Sequence, residues 1–181
     1  MDEIVAVDGR YPDFPQLNES DYSTDGTLEY LESLSKAVII RAAGLYEVEK
    51  RNQYLVGKEG DWYLHLDADE VWVGGRPDID NSVDAYVVKE WRKKVTPVMD
   101  RVRLFRHVDG LHYEKKHYWL QDGDGKTFAI LARAGNGYRA GELKTCHIIH
   151  REEERPVERK SAKKRYYREL TRRESRIKET L

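Results

Sequence analysis

Short apolar runs alternate with helical spacing over the first third of the chain. Residues 3–7, 37–41 and 62–66 are rich in β-branched, aliphatic and aromatic side chains, which is typical of strands. Residues 27–34 and 47–56 instead repeat their apolar positions every three or four residues, which indicates helices. The order strand, helix, strand, helix, strand predicts a parallel sheet with right-handed crossovers.

The pattern changes beyond residue 75. Residues 85–88 and 102–105 predict strands, and residues 121–126 predict a turn between the strands 118–120 and 127–130. Because a tight turn joins antiparallel neighbours, we expect this half of the chain to be antiparallel.

A sparse apolar stripe predicts that residues 156–181 form one helix. The stripe consists of Ala162, Tyr166, Leu170 and Ile177. We therefore predict one α/β domain, built on a Rossmann-type mixed sheet with helices on both faces. Residues 1–75 would form its βαβαβ half, residues 76–150 its antiparallel half, and residues 151–181 a basic C-terminal helix.

Composition and charge narrow the class of protein. The chain has 181 residues, of which 39% are hydrophobic and 36% charged, and no window approaches the ~18 apolar residues of a membrane span. The first seven residues do not resemble a secretory signal, and the single cysteine, Cys146, suits a reducing compartment. We expect a cytoplasmic protein in which Cys146 is a small core residue.

The C-terminal segment is basic, whereas the rest of the chain is acidic. Residues 151–181 contain 12 Lys and Arg against 7 acids, and the first 150 residues contain 20 against 26. Acids and bases are interleaved along the predicted helix, so we expect a solvated amphipathic helix rather than a nucleic-acid partner. A peripheral membrane contact or self-association through this helix stays open.

A compact acidic cluster follows the third predicted strand. Asp67-Ala68-Asp69-Glu70 comes directly after residues 62–66, and the carboxyl ends of buried strands are where open α/β sheets bind ligands. Carboxylates grouped in this way suit a hard divalent cation, which can take up charge on a phosphorylated leaving group. The alternative is an acidic turn on a solvated face.

Four motifs follow one another along the chain: a strand ending Val7-Asp8, the turn Ser23-Thr24-Asp25-Gly26-Thr27, Lys50-Arg51-Asn52 on a helix, and the strand and acidic cluster of residues 62–70. Their joint order resembles the family 2 glycosyltransferases, and more broadly the GT-A nucleotide-sugar fold. The resemblance covers about the first 75 residues. Relative to the family, residues 9–22 are an insertion, and the first strand and helix are absent.

The resemblance implies roles for the residues that match the nucleotide-binding motifs. Asp8 would hydrogen-bond the nucleobase and Asp25 would lie beside the base or ribose. Lys50 and Arg51 would face the diphosphate, and Asn52 the ribose. The structural alternatives are a turn cap for Asp8, a helix cap for Asp25, and an exposed helix face paired to Glu47 and Glu49 for the two cations.

The resemblance also implies a metal site. Asp67 would contact the ribose and the cation, and Asp69 would ligate Mn²⁺ or Mg²⁺. The family's further ligand, often a histidine, comes from a late strand before a basic helix, which makes His150 the candidate and His147 the reserve. The two histidines are three apart on an alternating strand, so at most one should reach the site. A half-buried structural histidine is the alternative for both.

The catalytic base is the least determined role. Residues 103–106 followed by 111–114 resemble the acceptor-side segment of the family, but Lys115 and Lys116 stand where glycine is usual. Deprotonating an acceptor hydroxyl needs a carboxylate, and Glu114, Asp122 and Asp124 are all candidates. The last two also suit a plain hairpin turn.

Together these observations predict a metal-dependent glycosyltransferase. It would move a sugar from a nucleoside-diphosphate sugar to a hydroxyl acceptor. Two alternatives remain: a sugar-phosphate nucleotidyltransferase, and a truncated, non-catalytic GT-A-like binding module.

Overall fold

The computed structural model shows a mixed α/β protein that divides into two compact units. It describes residues 3–12, 20–56, 61–92, 96–115, 119–128, 138–151, 157, 160–162, 164–166 and 168. Unit 1 comprises Met1–Tyr54 and Arg155–Leu181, and unit 2 comprises Leu55–Glu154. The division falls after residues 54 and 154, whereas the sequence predicts segment boundaries after residues 75 and 150.

Unit 1 contains the first two predicted strands and both predicted helices. The elements are β1 (Ile4–Asp8), α1 (Thr27–Glu32), β2 (Ala37–Arg41) and α2 (Glu47–Gln53). Strands β1 and β2 pair in parallel, from Ile4 opposite Ala37 to Asp8 opposite Arg41, which confirms the parallel crossover. Helix α2 begins with a capping box, in which the Glu49 carboxylate accepts from the Tyr46 N–H at 2.8 Å.

The helix predicted at the C-terminus is present where it is described. Residues 157, 160–162, 164–166 and 168 are helical. Ala162 and Tyr166 of the predicted apolar stripe are buried, and the Tyr166 ring stacks on Tyr11 at 5.7 Å between centroids. Leu170 and Ile177 lie outside the described residues.

Unit 2 is built on a five-stranded mixed sheet. Its strands are β3 (Trp62–Leu64), β4 (Glu70–Val73), β5 (Ala85–Arg92), β6 (Thr96–Arg106) and β9 (Ala140–His150), in the order β3-β6-β5-β9-β4. The β5–β9 pair is parallel and the other three pairs are antiparallel. Strands β7 (His112–Lys115) and β8 (Trp119–Gln121) form a separate antiparallel pair.

Two expectations about the sheet are wrong. Strand β3 is not parallel: it pairs antiparallel with β6, where Tyr63 lies opposite Phe105 and the two rings stack at 5.8 Å. The described part of unit 2 also contains strands and turns only, so the expected helices on both faces are not found on this sheet. The physical reason is that β5 and β6 are antiparallel neighbours, which need no crossover helix.

One cluster of buried apolar side chains forms a core of unit 2. It consists of Tyr86, Val88, Leu104, Leu143, Cys146 and Ile148, against which Trp62, Leu64, Trp72, Ile79 and Val83 pack. Cys146 is 2% exposed, which confirms its predicted place in the core. On β9 the even-numbered residues 146, 148 and 150 are buried together, and this places His150 at the end of the row that supplies the core.

Candidate functional site

The acidic cluster forms a tight turn between two strands of unit 2. The backbone N–H of Glu70 donates to the Asp67 carbonyl at 2.9 Å, and the N–H of Asp67 donates to Glu70 Oε2 at 2.8 Å. Two hydrogen bonds, one in each direction, therefore join the first and last residues of the turn. It is followed at once by β4, a strand that the sequence analysis missed because Val71-Trp72-Val73 is too short an apolar run to stand out.

Asp69 and His150 are brought together by the sheet. Glu70 lies opposite His150 in the β4–β9 ladder, and the Arg151 N–H donates to the Asp69 carbonyl at 2.8 Å. As a result Asp69 Oδ2 lies 3.3 Å from His150 Nε2, and His150 is only 7% exposed. His147 instead contacts the Trp91 ring edge-on, at 6.3 Å between ring centroids.

This pair of side chains fits a divalent cation. Adjacent ligands of an octahedral ion lie about 3 Å apart, because each bond to Mg²⁺ is about 2.1 Å long, and the 3.3 Å separation is close to that spacing. A carboxylate oxygen and an imidazole nitrogen together suit Mn²⁺. The buried Nδ1 atom of His150 has no hydrogen-bond partner among the described residues.

Beneath the turn lies a buried ion-pair network that the sequence analysis did not identify. The Arg103 guanidinium, 0% exposed, donates to Glu70 Oε1 and lies 3.3 Å from Glu90 Oε2. Burial raises the pKa of Glu70 to about 7, against the lowering effect of Arg103. Glu90 and Arg103 are charged residues inside the apolar runs 85–92 and 102–106, and such residues can indicate a buried ion pair. Sequence alone does not show that they face each other.

Glu70 also belongs to a second group of potential ligands. One ligand atom from each of Glu70, Glu90 and His150 lies within 4.8 Å of the others. Arg103 already binds both carboxylates, and a guanidinium between them opposes a second positive charge at the same place. Asp69 with His150 is therefore the better candidate for a cation site.

Asp67 contacts a histidine that the sequence analysis left unassigned. His65 Nε2 lies 3.4 Å from Asp67 Oδ1, and His65 Nδ1 lies 3.1 Å from the Tyr113 hydroxyl. His65 and Tyr113 are 6% and 2% exposed. An imidazole inside an apolar strand just before an acidic cluster was the signal that could have found it.

The candidate catalytic bases differ in their surroundings. Asp122 is buried and accepts from the backbone N–H groups of Asp124 and Lys126, at 2.9 and 2.8 Å, and from the Tyr138 hydroxyl. Burial raises the pKa of Asp122, but these hydrogen bonds outweigh it and hold the pKa below its ordinary value. These contacts fit the hairpin-turn alternative, whereas Glu114 on β7 is exposed.

In unit 1, Asp8 holds the turn that contains Asp25. Asp8 Oδ2 accepts from the Ser23 N–H at 3.0 Å, and Oδ1 accepts from the Ser23 hydroxyl at 2.6 Å. Asp25 Oδ1 accepts from the N–H and the hydroxyl of Thr27, at 3.2 and 2.6 Å, where α1 begins. Both carboxylates therefore stabilise local structure: Asp8 holds a turn, as expected for its alternative, and Asp25 forms an Asx turn just before α1, whose N-cap residue is Gly26.

The two cations of α2 are buried within unit 1. Lys50 donates to the Gly9 carbonyl and lies 4.3 Å from the centroid of the Tyr11 ring. Burial lowers the pKa of Lys50, although the nearby Asp8 carboxylate acts in the opposite direction. Arg51 pairs with Glu47 at 3.0 Å. The pairing expected for an exposed helix face thus occurs for Arg51 with Glu47, but on a buried face, and Asn52 is half-buried.

No protein-family model matches the chain, and no curated protein sequence matches it. Among the described helices, none is long and apolar enough to cross a membrane.

Proposed function

We propose that the chain is a metal-dependent glycosyltransferase of the GT-A type, which moves a sugar from a nucleoside-diphosphate sugar to a hydroxyl acceptor. One observation carries the proposal. Asp69 and His150 are far apart in the sequence of unit 2, but Asp69 Oδ2 lies 3.3 Å from His150 Nε2. This separation suits two ligands of one divalent cation.

Asp69 and His150 would hold Mn²⁺ or Mg²⁺, with Asp67 on the same turn as a further ligand. When bound, the cation supplies charge neutralisation for the diphosphate that leaves as the sugar is transferred. The turn is closed by Glu70, and Glu70 is held by Arg103, so the carboxylates are oriented before any ligand arrives.

Glu114 is the preferred candidate for the base that deprotonates the acceptor hydroxyl. It is exposed on β7, whereas both oxygens of Asp122 accept hydrogen bonds from the protein. A base needs a pKa near the working pH, and the lowered pKa of Asp122 makes it a weak base.

A non-catalytic nucleotide-binding module is a second candidate function. The observation in its favour is the engagement of Lys50 and Arg51 by protein groups, which reduces the positive charge available to a diphosphate. Nucleotide-sugar binding without sugar transfer would support this candidate. Release of pyrophosphate from a nucleoside triphosphate would instead favour a sugar-phosphate nucleotidyltransferase.

A thermal-shift screen of nucleotide sugars, with and without Mn²⁺, tests the proposal. We expect a UDP- or GDP-sugar with Mn²⁺ to raise the Tm of the wild-type chain, because a ligand that binds only the folded state stabilises it. Asp69→Asn should abolish the shift, since the amide keeps the shape of the carboxylate but loses its charge. Asp78→Asn, an exposed acid of the same unit, is the matched control and should keep the shift.

A wild-type chain whose Tm does not respond to any nucleotide sugar would contradict the proposal. A positive response should be followed by an assay for transferred sugar with hydroxyl acceptors. Transfer by wild type and Asp78→Asn, but not by Asp69→Asn or His150→Ala, is the expected result.

A further inference from the structure

Three side chains of unit 2 contact one another in series, from the acidic turn to two buried rings. Asp67 Oδ1 lies 3.4 Å from His65 Nε2, and His65 Nδ1 lies 3.1 Å from the Tyr113 hydroxyl. The Tyr113 and His65 rings also meet edge to face, with centroids 6.0 Å apart and planes at 76°. His65 and Tyr113 are almost fully buried, so the contact between them is screened from water.

Of the two neutral tautomers of His65, only one satisfies both contacts. The Asp67 carboxylate can only accept, so a neutral His65 must carry its proton on Nε2 to face it favourably. Nδ1 is then an acceptor, and the Tyr113 hydroxyl is the donor beside it. The opposite tautomer would place an imidazole lone pair against a carboxylate in a buried site, where such repulsion is strong.

The backbone fixes where His65 lies. The His65 N–H donates to the Arg103 carbonyl at 2.8 Å, which continues the β3–β6 pairing one residue beyond β3. Tyr113 is held in turn by the β7–β8 pair, where it lies opposite Leu120. His65 and Asp67 are two residues apart, and their side chains meet at 3.4 Å.

We propose that His65 is a positioning residue for Asp67, and that Tyr113 sets the His65 tautomer that this role requires. The Glu70 carboxylate fixes the backbone of Asp67, and the His65 Nε2–H fixes the rotation of its carboxylate. Groups that hydrogen-bond metal-ligating side chains in this way commonly change metal affinity by about 10- to 100-fold when removed. The inference rests on the proposed cation site.

Two measurements on the full-length chain test it. Side-chain ¹⁵N NMR of the metal-free protein should show the Nε2–H tautomer for His65, and Tyr113→Phe should increase the Nδ1–H fraction. The Mn²⁺ Kd, measured by electron paramagnetic resonance, should rise about 10- to 100-fold in His65→Leu. His65→Gln should recover much of the affinity, because its amide N–H can donate to Asp67.

Tyr86→Phe is the matched control. It also removes a buried hydroxyl in unit 2, but this hydroxyl is bonded to the backbone of Asp80. The His65 tautomer and the Mn²⁺ affinity should both be unchanged in this variant, even if its stability falls.

The outcomes separate the two proposals. A wild-type chain that binds Mn²⁺ but has the Nδ1–H tautomer, or whose Kd is unchanged by His65→Leu, would overturn the positioning role alone. A wild-type chain that binds no Mn²⁺ would overturn the cation site and the positioning role together.

Discussion

Arg103 is the most deeply buried charge in the described part of unit 2. Its guanidinium lies between Glu70 and Glu90 with no exposed surface. The register of the β5–β6 ladder passes from Leu104 to Val102 and leaves Arg103 unmatched, as in a β-bulge, which redirects a side chain. Through Glu70, whose carboxylate accepts from the Asp67 N–H, Arg103 thus supports the acidic turn.

We expect Arg103→Met to destabilise unit 2 strongly. Removing one partner of a buried ion pair leaves uncompensated charge and costs about 3–5 kcal/mol. Urea unfolding followed by tryptophan fluorescence measures this cost for the correct unit, because all four tryptophans of the chain, Trp62, Trp72, Trp91 and Trp119, belong to unit 2.

Lys89→Met is the control for that variant. Lys89 pairs with Glu142 at 3.4 Å across the same sheet, but both side chains are about half exposed. Its removal should change the free energy of unfolding by about 0–1 kcal/mol, as for other surface ion pairs. Equal effects of the two substitutions would show that the buried pair is not structurally important.

At the level of single residues, the sequence predicts those parts of the site that have a local signature. Asp67 and Asp69 follow an apolar run directly, and His150 precedes a basic segment, so their chemistry can be proposed without coordinates. His65 and Arg103 have no such signature. Each looks like an ordinary interruption of a strand, and its role depends on a partner that the sheet register brings to it.

At the level of elements, the close approach of β4 and β9 depends on one glycine. Gly74 ends β4 with φ 126°, and a Cβ placed on it would lie 2.8 Å from the Thr145 carbonyl oxygen and 2.9 Å from Cys146 Sγ. Thr145 and Cys146 belong to β9, the strand that carries His150. Gly74 therefore allows the close approach of the two strands that hold the candidate site.

We expect Gly74→Ala to lower the stability of unit 2 by about 1–3 kcal/mol, because a side chain here is strained and also meets backbone. Gly75→Ala is the neighbouring control: a Cβ there has no atom within 4 Å, and its effect should stay within about 0.5 kcal/mol. Urea unfolding of both variants gives the comparison. A Gly75→Ala variant as unstable as Gly74→Ala would contradict this reason.

The elements that the sequence predicts well are those defined by nearby residues. β1, β2, α1 and α2 appear in the expected order, since strand composition and helical spacing are local properties. The partner of β3 could not be predicted in this way. Pairing joins residues far apart in the chain, and an apolar run does not record whether its neighbour is parallel or antiparallel.

At the level of the whole molecule, the proposed cation site belongs to one unit. Asp67, Asp69 and His150 all lie within Leu55–Glu154, as does the core around Val88 and Ile148. We therefore expect residues 55–154, expressed alone, to fold and to bind Mn²⁺ with the affinity of the full chain. Circular dichroism and Mn²⁺ titration measure the two properties.

The matching control is the same fragment with Asp69→Asn, which should fold without binding. A folded fragment that binds no Mn²⁺, while the full chain does, would show that residues outside unit 2 supply a ligand. An unfolded fragment would show that the core of unit 2 needs residues of unit 1.

The position of β9 has a consequence for the order in which the sheet of unit 2 folds during synthesis. This strand is the last of unit 2 to be synthesised, yet it lies between β5 and β4 in the sheet. Until it is inserted, β4 has no neighbour in this sheet and β5 has an open edge, which is a template for pairing with other chains. Asp69 is synthesised before β9 but contacts His150 only after β9 has been inserted. The proposed binding of Mn²⁺ should therefore arise late in folding, and it would report that β9 is in place.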